Sequence, residues 1–469
     1  MNRSKKLISN SIIFTVGNLG SKFISFFMVP LYTYFMSTTQ FGQVDLVITT
    51  VNLFLPVVSL SMFDAVFRFV MDKNEDSSQT LTSGICVTIM ISLLLFCFYP
   101  LLRLMHISFL AYFVLILVIT SLFTLIQNFA RGNGNSVVYA VAGIIDAISF
   151  ATLNVLFLVF LHLNVQGYLL SYLIAMFISL IYVSFSIKIW NYFSLTSFSL
   201  SLVKRMLCYS LPLIPNSLAW WLTNDANRYI ILTFVGMGGN GLYAVANKIP
   251  TILNMLFNVF TQAWQISAVD EFRSQDSEEY YSSIFNKLQG LLFLLVGVFI
   301  IIIKPFMKIF VSSLYYGAWK YVPLLLLMSV FSNMSAFLGT TYLAAKKTNG
   351  IFSTTIVGML VNLIVSLLVT MKLEIYGTCI GGTLGFLAVI VMRLIDLRKI
   401  LRIKMNYTTF LVSVVGWAFM YLGLFLPFTL NYILEIFGLG LIVIINKKVV
   451  LSLVTNIKIS LNYITRKFL

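Results

Sequence analysis

Three cations stand where a membrane-embedded chain accommodates them least easily. Lys22 lies midway along the apolar run 10–36, Arg228 within 210–236 and Lys248 within 241–268. A charge at the bilayer centre costs ~2.5–3.5 kcal/mol on insertion scales, so such residues face a cavity, a partner or a nearby interface. Arginine grips phosphate through a planar fork and lysine as a point charge. Lys22, in Gly17-Asn18-Leu19-Gly20-Ser21-Lys22, is central enough that it either lines a cavity or contacts a neighbouring helix. Lys248 stands about 10 Å from the end of its run and can line a cavity or snorkel to the interface.

The acids are fewer. Asp225 and Arg228 sit three apart in Trp220-Trp221-Leu222-Thr223-Asn224-Asp225-Ala226-Asn227-Arg228, hence on one helix face. They form either a self-neutralising pair or a cavity wall with one ligand-facing cation, in which Trp221 and Asn224 join. Asp64 and Arg68 make an i,i+4 pair near one end of the run 42–70, from which Arg68 is expected to snorkel. Asp146 has no local partner and is either protonated or paired with a cation of another helix. Asp225, Asp64 and Asp146 are the candidates for coupling to a proton or sodium ion.

The elements holding these residues are membrane helices. The chain is 59% hydrophobic and 10% charged, with a mean hydropathy of +0.96; soluble domains carry about 25% charged residues. Apolar runs of ~20 residues recur along the chain, without the strict alternation of barrel strands, and read as helices. They fall near 10–36, 42–70, 81–102, 109–130, 136–160, 167–190, 210–236, 241–268, 284–303, 321–343, 350–371, 376–397, 408–427 and 430–446. The first is long enough to span and lacks a small-residue cleavage site, so it is not expected to be a signal peptide. Proline breaks several runs, at Pro30, Pro56, Pro212, Pro215 and Pro250, where it removes a backbone bond and kinks the helix.

A formal net charge of +16 suggests nucleic acid until the charges are placed. With the N-terminus inside, most Lys and Arg fall in or beside cytoplasmic segments, notably Arg3, Lys5, Lys6, Lys204, Arg205, Lys346, Lys347, the stretch Arg398–Lys404, Lys447, Lys448, Arg466 and Lys467. Only Arg103, Lys304, Lys308, Lys320 and Lys372 fall outside. This positive-inside bias puts both termini in the cytoplasm and removes the need for a nucleic-acid partner.

The chain also repeats itself. Phe35-Met36-Ser37-Thr38-Thr39-Gln40-Phe41-Gly42 precedes the second run as Phe234-Val235-Gly236-Met237-Gly238-Gly239-Asn240-Gly241 precedes the eighth. Arg131-Gly132-Asn133-Gly134 resembles Lys346-Lys347-Thr348-Asn349, Gly143 aligns with Gly358, and Gly167 with Gly377. Six spans per copy keep both copies in the same orientation, the geometry of transporters that rock two lobes about a central site. The expected fold class is therefore an all-α polytopic membrane protein of about 14 transmembrane helices, with two six-helix lobes related by a pseudo-two-fold repeat and two further C-terminal helices. Its parts are an N-terminal lobe (1–190), a cytoplasmic linker (191–209), a second lobe (210–398), two additional helices (399–446) and an amphipathic tail (447–469).

Other chemistry is not indicated. Cys86, Cys97, Cys208 and Cys379 show no CxxC spacing, and Cys86 and Cys97 lie about 16 Å apart along one helix, beyond disulfide reach. His106 and His162 are isolated, so no metal site is expected. There is no phosphate-cradling glycine loop and no acidic pair in an extramembrane domain, so neither cofactor nor enzymatic site is expected. The segment Lys304–Lys320, aromatic and basic, suits an interfacial helix.

Several stretches together resemble a known family. They are Gln40-Phe41-Gly42, Ala65-Val66-Phe67-Arg68-Phe69, Leu211-Pro212 with Trp220-Trp221 and Asp225–Tyr229, Gly241–Pro250, Ala263-Trp264-Gln265, Tyr316–Pro323 and Lys346-Lys347-Thr348. Their order and spacing resemble the Wzx-type polysaccharide (O-antigen or capsule) repeat-unit flippases of the multidrug/oligosaccharidyl-lipid/polysaccharide exporter superfamily. That family often has Asp and Arg adjacent in the seventh span, whereas Ala226 and Asn227 intervene here. The resemblance implies transport of an undecaprenyl-diphosphate-linked oligosaccharide to the outer leaflet of a bacterial cytoplasmic (inner) membrane, by alternating access through a cationic cavity. Lys22, Arg228 and Lys248, with Arg68, would bind the diphosphate, while Trp221 and Asn224 would contact sugar. The implied partners are that lipid-linked glycan, the bilayer, and polysaccharide polymerase and chain-length proteins, with the chain working as a monomer. The rival readings are a multidrug/cation antiporter of the same superfamily, which would want central acids and few cations, and a membrane polysaccharide polymerase or glycosyltransferase, which would want a large catalytic loop.

Overall fold

The computed structural model describes residues 20–72, 74–104, 108–272, 274–345, 347, 349–452 and 455. The start of the first expected span, His106, Lys346, Thr348 and the tail beyond 455 lie outside the described residues. Among the described residues every regular element is helical, and nine helices are long and apolar enough to cross a membrane. In chain order the helices are α1 (20–27), α2 (Val29–Phe35), α3 (Thr38–Val58), α4 (Met62–Val70), α5 (Ser77–Leu104), α6 (Leu110–Gly132), α7 (Ser136–Asn154), α8 (Asn164–Ser186), α9 (Leu200–Ser210) and α10 (Leu213–Asn224). They continue as α11 (Asn227–Phe234), α12 (Met237–Ala246), α13 (Lys248–Glu271), α14 (Ser277–Phe310), α15 (Val322–Ala344), α16 (Asn349–Leu373), α17 (Ile375–Asp396), α18 (Tyr407–Gly423) and α19 (Phe428–Ile445). Helix occupies each of the expected spans, the first of them from residue 20.

The differences lie in starts and breaks. α3 begins at Thr38, earlier than hydropathy alone sets it, because Ser37 and Gln40 form a capping box. The Gln40 amide NH donates to Ser37 Oγ at 3.2 Å and the Ser37 NH to Gln40 Oε1 at 2.9 Å, satisfying two donors that a helix start leaves open. The expected run 42–70 is not one helix. Leu60 and Ser61 adopt left-handed backbone, with φ of 48° and 49°, a region uncommon for residues bearing a Cβ, and α4 starts afresh after them. Pro56, within the last turn of α3, weakens the ladder just before the break. Asp225–Ala226 interrupts the seventh span and Asn247 the eighth.

The helices form two compact units, 1–244 and 245–469. α10 and α11, which open the second sequence copy, pack with the first unit. Its core joins α4, α5, α6, α8 and α9 through Met62, Val66, Leu81, Leu125, Phe129, Val183 and Met206. The expected linker 191–209 is folded onto this unit: Ser78 Oγ donates to the Tyr192 carbonyl, the Ser194 NH to Thr82 Oγ1 at 3.2 Å, and Arg205 pairs with Glu75.

In the second unit α15 is the most buried of the membrane-length helices among the described residues. α16 and α17 meet through small residues four apart, with Gly377, Gly381 and Gly385 on one helix facing Thr370, Ser366, Asn362 and Gly358 on the other. A Cβ at Gly377 would stand 2.3 Å from the Thr370 backbone nitrogen, so the backbones themselves are in contact, as in small-xxx-small membrane packing. α18 and α19 pack on α14. Lys304, expected in an outer loop, belongs to α14 instead. Its ammonium donates to the Leu424 carbonyl, lies 4.7 Å from the Trp319 ring centroid and can also donate to the Asn431 side-chain oxygen at 3.1 Å, with the Asn431 amide turned toward buried Glu435. The expected interfacial segment ends as a 3-10 helix, Ser313–Lys320, with Tyr315, Ala318 and Trp319 buried.

Candidate functional site

The helix break at Asp225–Ala226 sets the geometry. α10 ends at Asn224 and α11 starts at Asn227, so the intervening turn carries Asp225 and delivers Arg228 into the first turn of α11. Arg228 is 9% exposed. It pairs with Asp225 as the sequence allows, and also with a residue that the sequence alone did not single out: Arg228 Nε donates to Asp45 Oδ2 on α3 at 2.6 Å. Two carboxylates thus flank one guanidinium, which is the condition under which a buried arginine is tolerable.

The surroundings fix α3 against α10, α11 and α12. Asn240 Nδ2 donates to the Gly42 carbonyl at 2.9 Å and approaches Asp45 Oδ2 at 3.5 Å. Trp221 Nε1 donates to the Thr49 carbonyl at 3.1 Å. The hydroxyls of Thr50 and Tyr229 lie 2.6 Å apart, and the Arg228 guanidinium is 5.9 Å from the Tyr243 ring centroid.

The approach depends on the two glycines that the repeat matches. A Cβ at Gly42 would stand 2.1 Å from the Met237 carbonyl oxygen, and one at Gly241 would stand 1.9 Å from that of Thr38. No side chain fits at either position while the helices cross here. The repeated pattern is therefore a contact: each copy's glycine meets the other copy's backbone at the matching position.

The remaining candidates are placed as follows. Trp221 is buried and its indole NH is committed to α3. Asn224 is half-buried and its Nδ2 donates back to the Trp220 carbonyl at 2.8 Å. Lys22, on α1, is exposed. Asp64 and Arg68 share α4, but the expected pair does not form within 4 Å among the described residues, and Arg68 is exposed as a snorkelling side chain would be. Asp146 is half-buried on α7. Lys248 is half-buried at the start of α13, in the second unit. The structure thus brings together Asp225, Arg228 and Trp221 with Asp45, and does not group Asp64, Arg68 or Asp146 with them.

Residues 7–265, more than half of the chain and including this whole cluster, match the family described as polysaccharide biosynthesis protein. The chain belongs to that family. No curated protein matches it, but solved structures do. This polysaccharide biosynthesis family member is similar to a structure described as lipid II flippase MurJ in an inward closed conformation. The TM-score is 0.65 at 14% identity, over 94% of this chain and 100% of the other. It is also similar to an inward-facing multidrug resistance MATE family transporter of the MOP superfamily, with TM-score 0.64 at 15% identity over 82% and 94% of the two chains. A Vibrio cholerae MATE transporter, VcmN, matches with TM-score 0.58 at 13% identity over 84% and 97%. The family member thus has the fold of the multidrug/oligosaccharidyl-lipid/polysaccharide exporter superfamily and is a multi-pass membrane protein.

Proposed function

We propose that the chain is a flippase that moves an undecaprenyl-diphosphate-linked oligosaccharide repeat unit from the cytoplasmic to the outer leaflet of a bacterial inner membrane, by alternating access and without enzymatic chemistry. The observation that carries this reading is a polar cluster, Asp45–Arg228–Asp225, built on a broken apolar helix inside the region that matches the polysaccharide biosynthesis family. A scaffold has no use for a charged break in mid-span.

The pairing sharpens the mechanism. Arg228 meets the substrate diphosphate by exchanging a carboxylate partner for phosphate, so a neutralised resting cation becomes available during the cycle. Lys22 is the accompanying cation, with Lys248 and Arg68 as further candidates, and Asp225, Asp64 or Asp146 would couple an ion. Asn224 and the exposed face of Trp220 suit the glycan better than Trp221, whose indole is occupied. Carrying two negative charges outward down an inside-negative potential of ~100 mV releases about 4–5 kcal/mol, enough to bias the cycle without a nucleotide. Polymerase and chain-length proteins are the proposed partners, and a monomer is the proposed unit.

The test uses proteoliposomes loaded with a polyprenyl-diphosphate oligosaccharide, whose transfer is read by accessibility to an external glycosidase. Lys22→Ala, at an exposed position, should insert and fold normally yet lose most transfer, and Lys22→Ala with Arg228→Ala should abolish it. Wild-type transfer by the double variant would sink the cationic reading. One observation favours the antiporter alternative: two carboxylates face one guanidinium in the cluster. That reading requires tetraphenylphosphonium uptake driven by a proton or sodium gradient and lost in Asp45→Asn, with no glycolipid transfer.

A further inference from the structure

The second unit contains a separate concentration of positive charge that the transport reading does not use. Arg393, on α17, is 5% exposed. Its guanidinium donates to Thr354 Oγ1 and Thr355 Oγ1 on α16, each at 3.1 Å, and to the Ser335 carbonyl on α15. All three acceptors are neutral. Among the described residues no carboxylate lies within ion-pair distance of it. A cation buried with only neutral acceptors retains most of its desolvation cost, unlike Arg228 with its two acids.

One helical turn further along α17, a cavity of about 410 Å3 opens at the end of the unit. It is lined by Lys347, Lys399, Asn349, Tyr342 and Asp396. Lys347 and Lys399 are exposed and, among the described residues, neither has a carboxylate within 4 Å. The cavity also carries one acid, Asp396, whose Oδ2 accepts the Tyr342 hydroxyl at 2.8 Å; both pack against Gly350, where a Cβ would stand 2.9 Å from that oxygen. The amide-rich start of the 25-residue α16 also faces the cavity, and its dipole favours an anion. Two free ammonium groups, a helix start and an uncompensated guanidinium behind them make this an anion site of a size suited to a small headgroup.

We infer that the cavity binds a phosphate group presented at the membrane face, either the headgroup phosphate of an anionic phospholipid or a diphosphate. The basic segment Arg398–Lys404 follows directly, and the positive-inside bias places this end in the cytoplasmic leaflet, where anionic headgroups are at hand. Lys347 and Lys399 contact the phosphate oxygens, and Arg393 acts from behind as a field that raises affinity. The inference stands whether or not the chain is a flippase.

The test uses the full chain in detergent micelles, with native mass spectrometry counting bound phosphatidylglycerol against phosphatidylcholine of equal chain length. Lys347→Gln with Lys399→Gln alters only exposed side chains and should keep wild-type thermal stability. The wild type should retain phosphatidylglycerol selectively, and the double variant should hold it at least fivefold more weakly. Inorganic pyrophosphate at millimolar concentration then separates the sources: displacement identifies a diphosphate-competent site, and persistence identifies a lipid headgroup site. Equal phosphatidylglycerol retention by wild type and double variant, at matched stability, overturns the inference. As a second variant, Arg393→Lys keeps the charge and should retain selectivity; its loss in a folded protein would show that charge behind the cavity is not the cause.

Discussion

If Arg228 is stabilised by two carboxylates acting on one charge, their removal must be strongly non-additive. At an effective dielectric of ~20, a guanidinium and a carboxylate about 4 Å apart attract by about 4 kcal/mol. Two carboxylates on the same guanidinium, taken as roughly 5.5 Å apart, repel by about 3 kcal/mol. The second acid therefore contributes only about 1 kcal/mol once the first is present. Asp45→Asn alone, or Asp225→Asn alone, should cost about 1 kcal/mol, slightly more for Asp45, whose side chain is 13% exposed against 24% for Asp225. The two together leave a buried unpaired cation and should cost about 5 kcal/mol, in line with broken buried pairs. Reversible SDS titration in mixed micelles, followed by tryptophan fluorescence, measures all three. Adding Arg228→Met to the double variant removes the stranded charge and should recover most of the loss. Simple addition of the single effects, or no recovery in the triple variant, would refute the reasoning.

Further outcomes follow from the packing. Gly42→Ala and Gly241→Ala each drive a methyl into backbone that cannot yield and should each cost about 1–3 kcal/mol or more; the double variant should be little worse than either, because both break one crossing, as the same titration can show. Trp221→Phe deletes the indole bond to Thr49 and should cost about 1 kcal/mol while leaving glycolipid transfer near wild type, which the glycosidase assay reads. Glu435→Ala unties the buried polar group between α19 and α14; it should lower stability by about 1–3 kcal/mol and speed proteolysis of the segment joining α18 and α19.

The helical plan was legible because a bilayer leaves few alternatives: runs of apolar residues set the spans. What hydropathy could not reach was which charge meets which. Asp45 escaped because the second span, judged by hydropathy, starts at residue 42, where an acid at the edge needs no explanation. The capping box at Ser37 moves the helix start back to Thr38, and Asp45 then lies about 10 Å into the helix. Ser37 followed by Gln40 was the available signal. Arg393 escaped for a related reason: it lies four residues inside the end of the expected span 376–397, near Arg398 and Lys399, and passes for one more charge at the span's edge, although its side chain is buried among α15, α16 and α17. The break at Leu60–Ser61 could not be read at all, since neither residue is a glycine. The i,i+4 spacing of Asp64 and Arg68 overstated a pairing that does not form between half-buried Asp64 and exposed Arg68.

The Gly42–Gly241 crossing bears on how such a chain could arise. Gly42 meets the backbone of Met237 and Gly241 that of Thr38, and Thr38 stands to Gly42 as Met237 stands to Gly241. A contact in which i meets j and j meets i is what a two-fold axis makes between identical subunits. If the two copies arose by duplication, a half-length ancestor would already have carried both sides of this contact and could have paired with itself through it. Fusion into one polypeptide would then let the two sides diverge. By the same register Asp45 corresponds to Ala244, and Arg228 to Val29. In a homodimer every charge would have appeared twice; in the fused chain the ion pair is written once, on one side of a symmetric crossing.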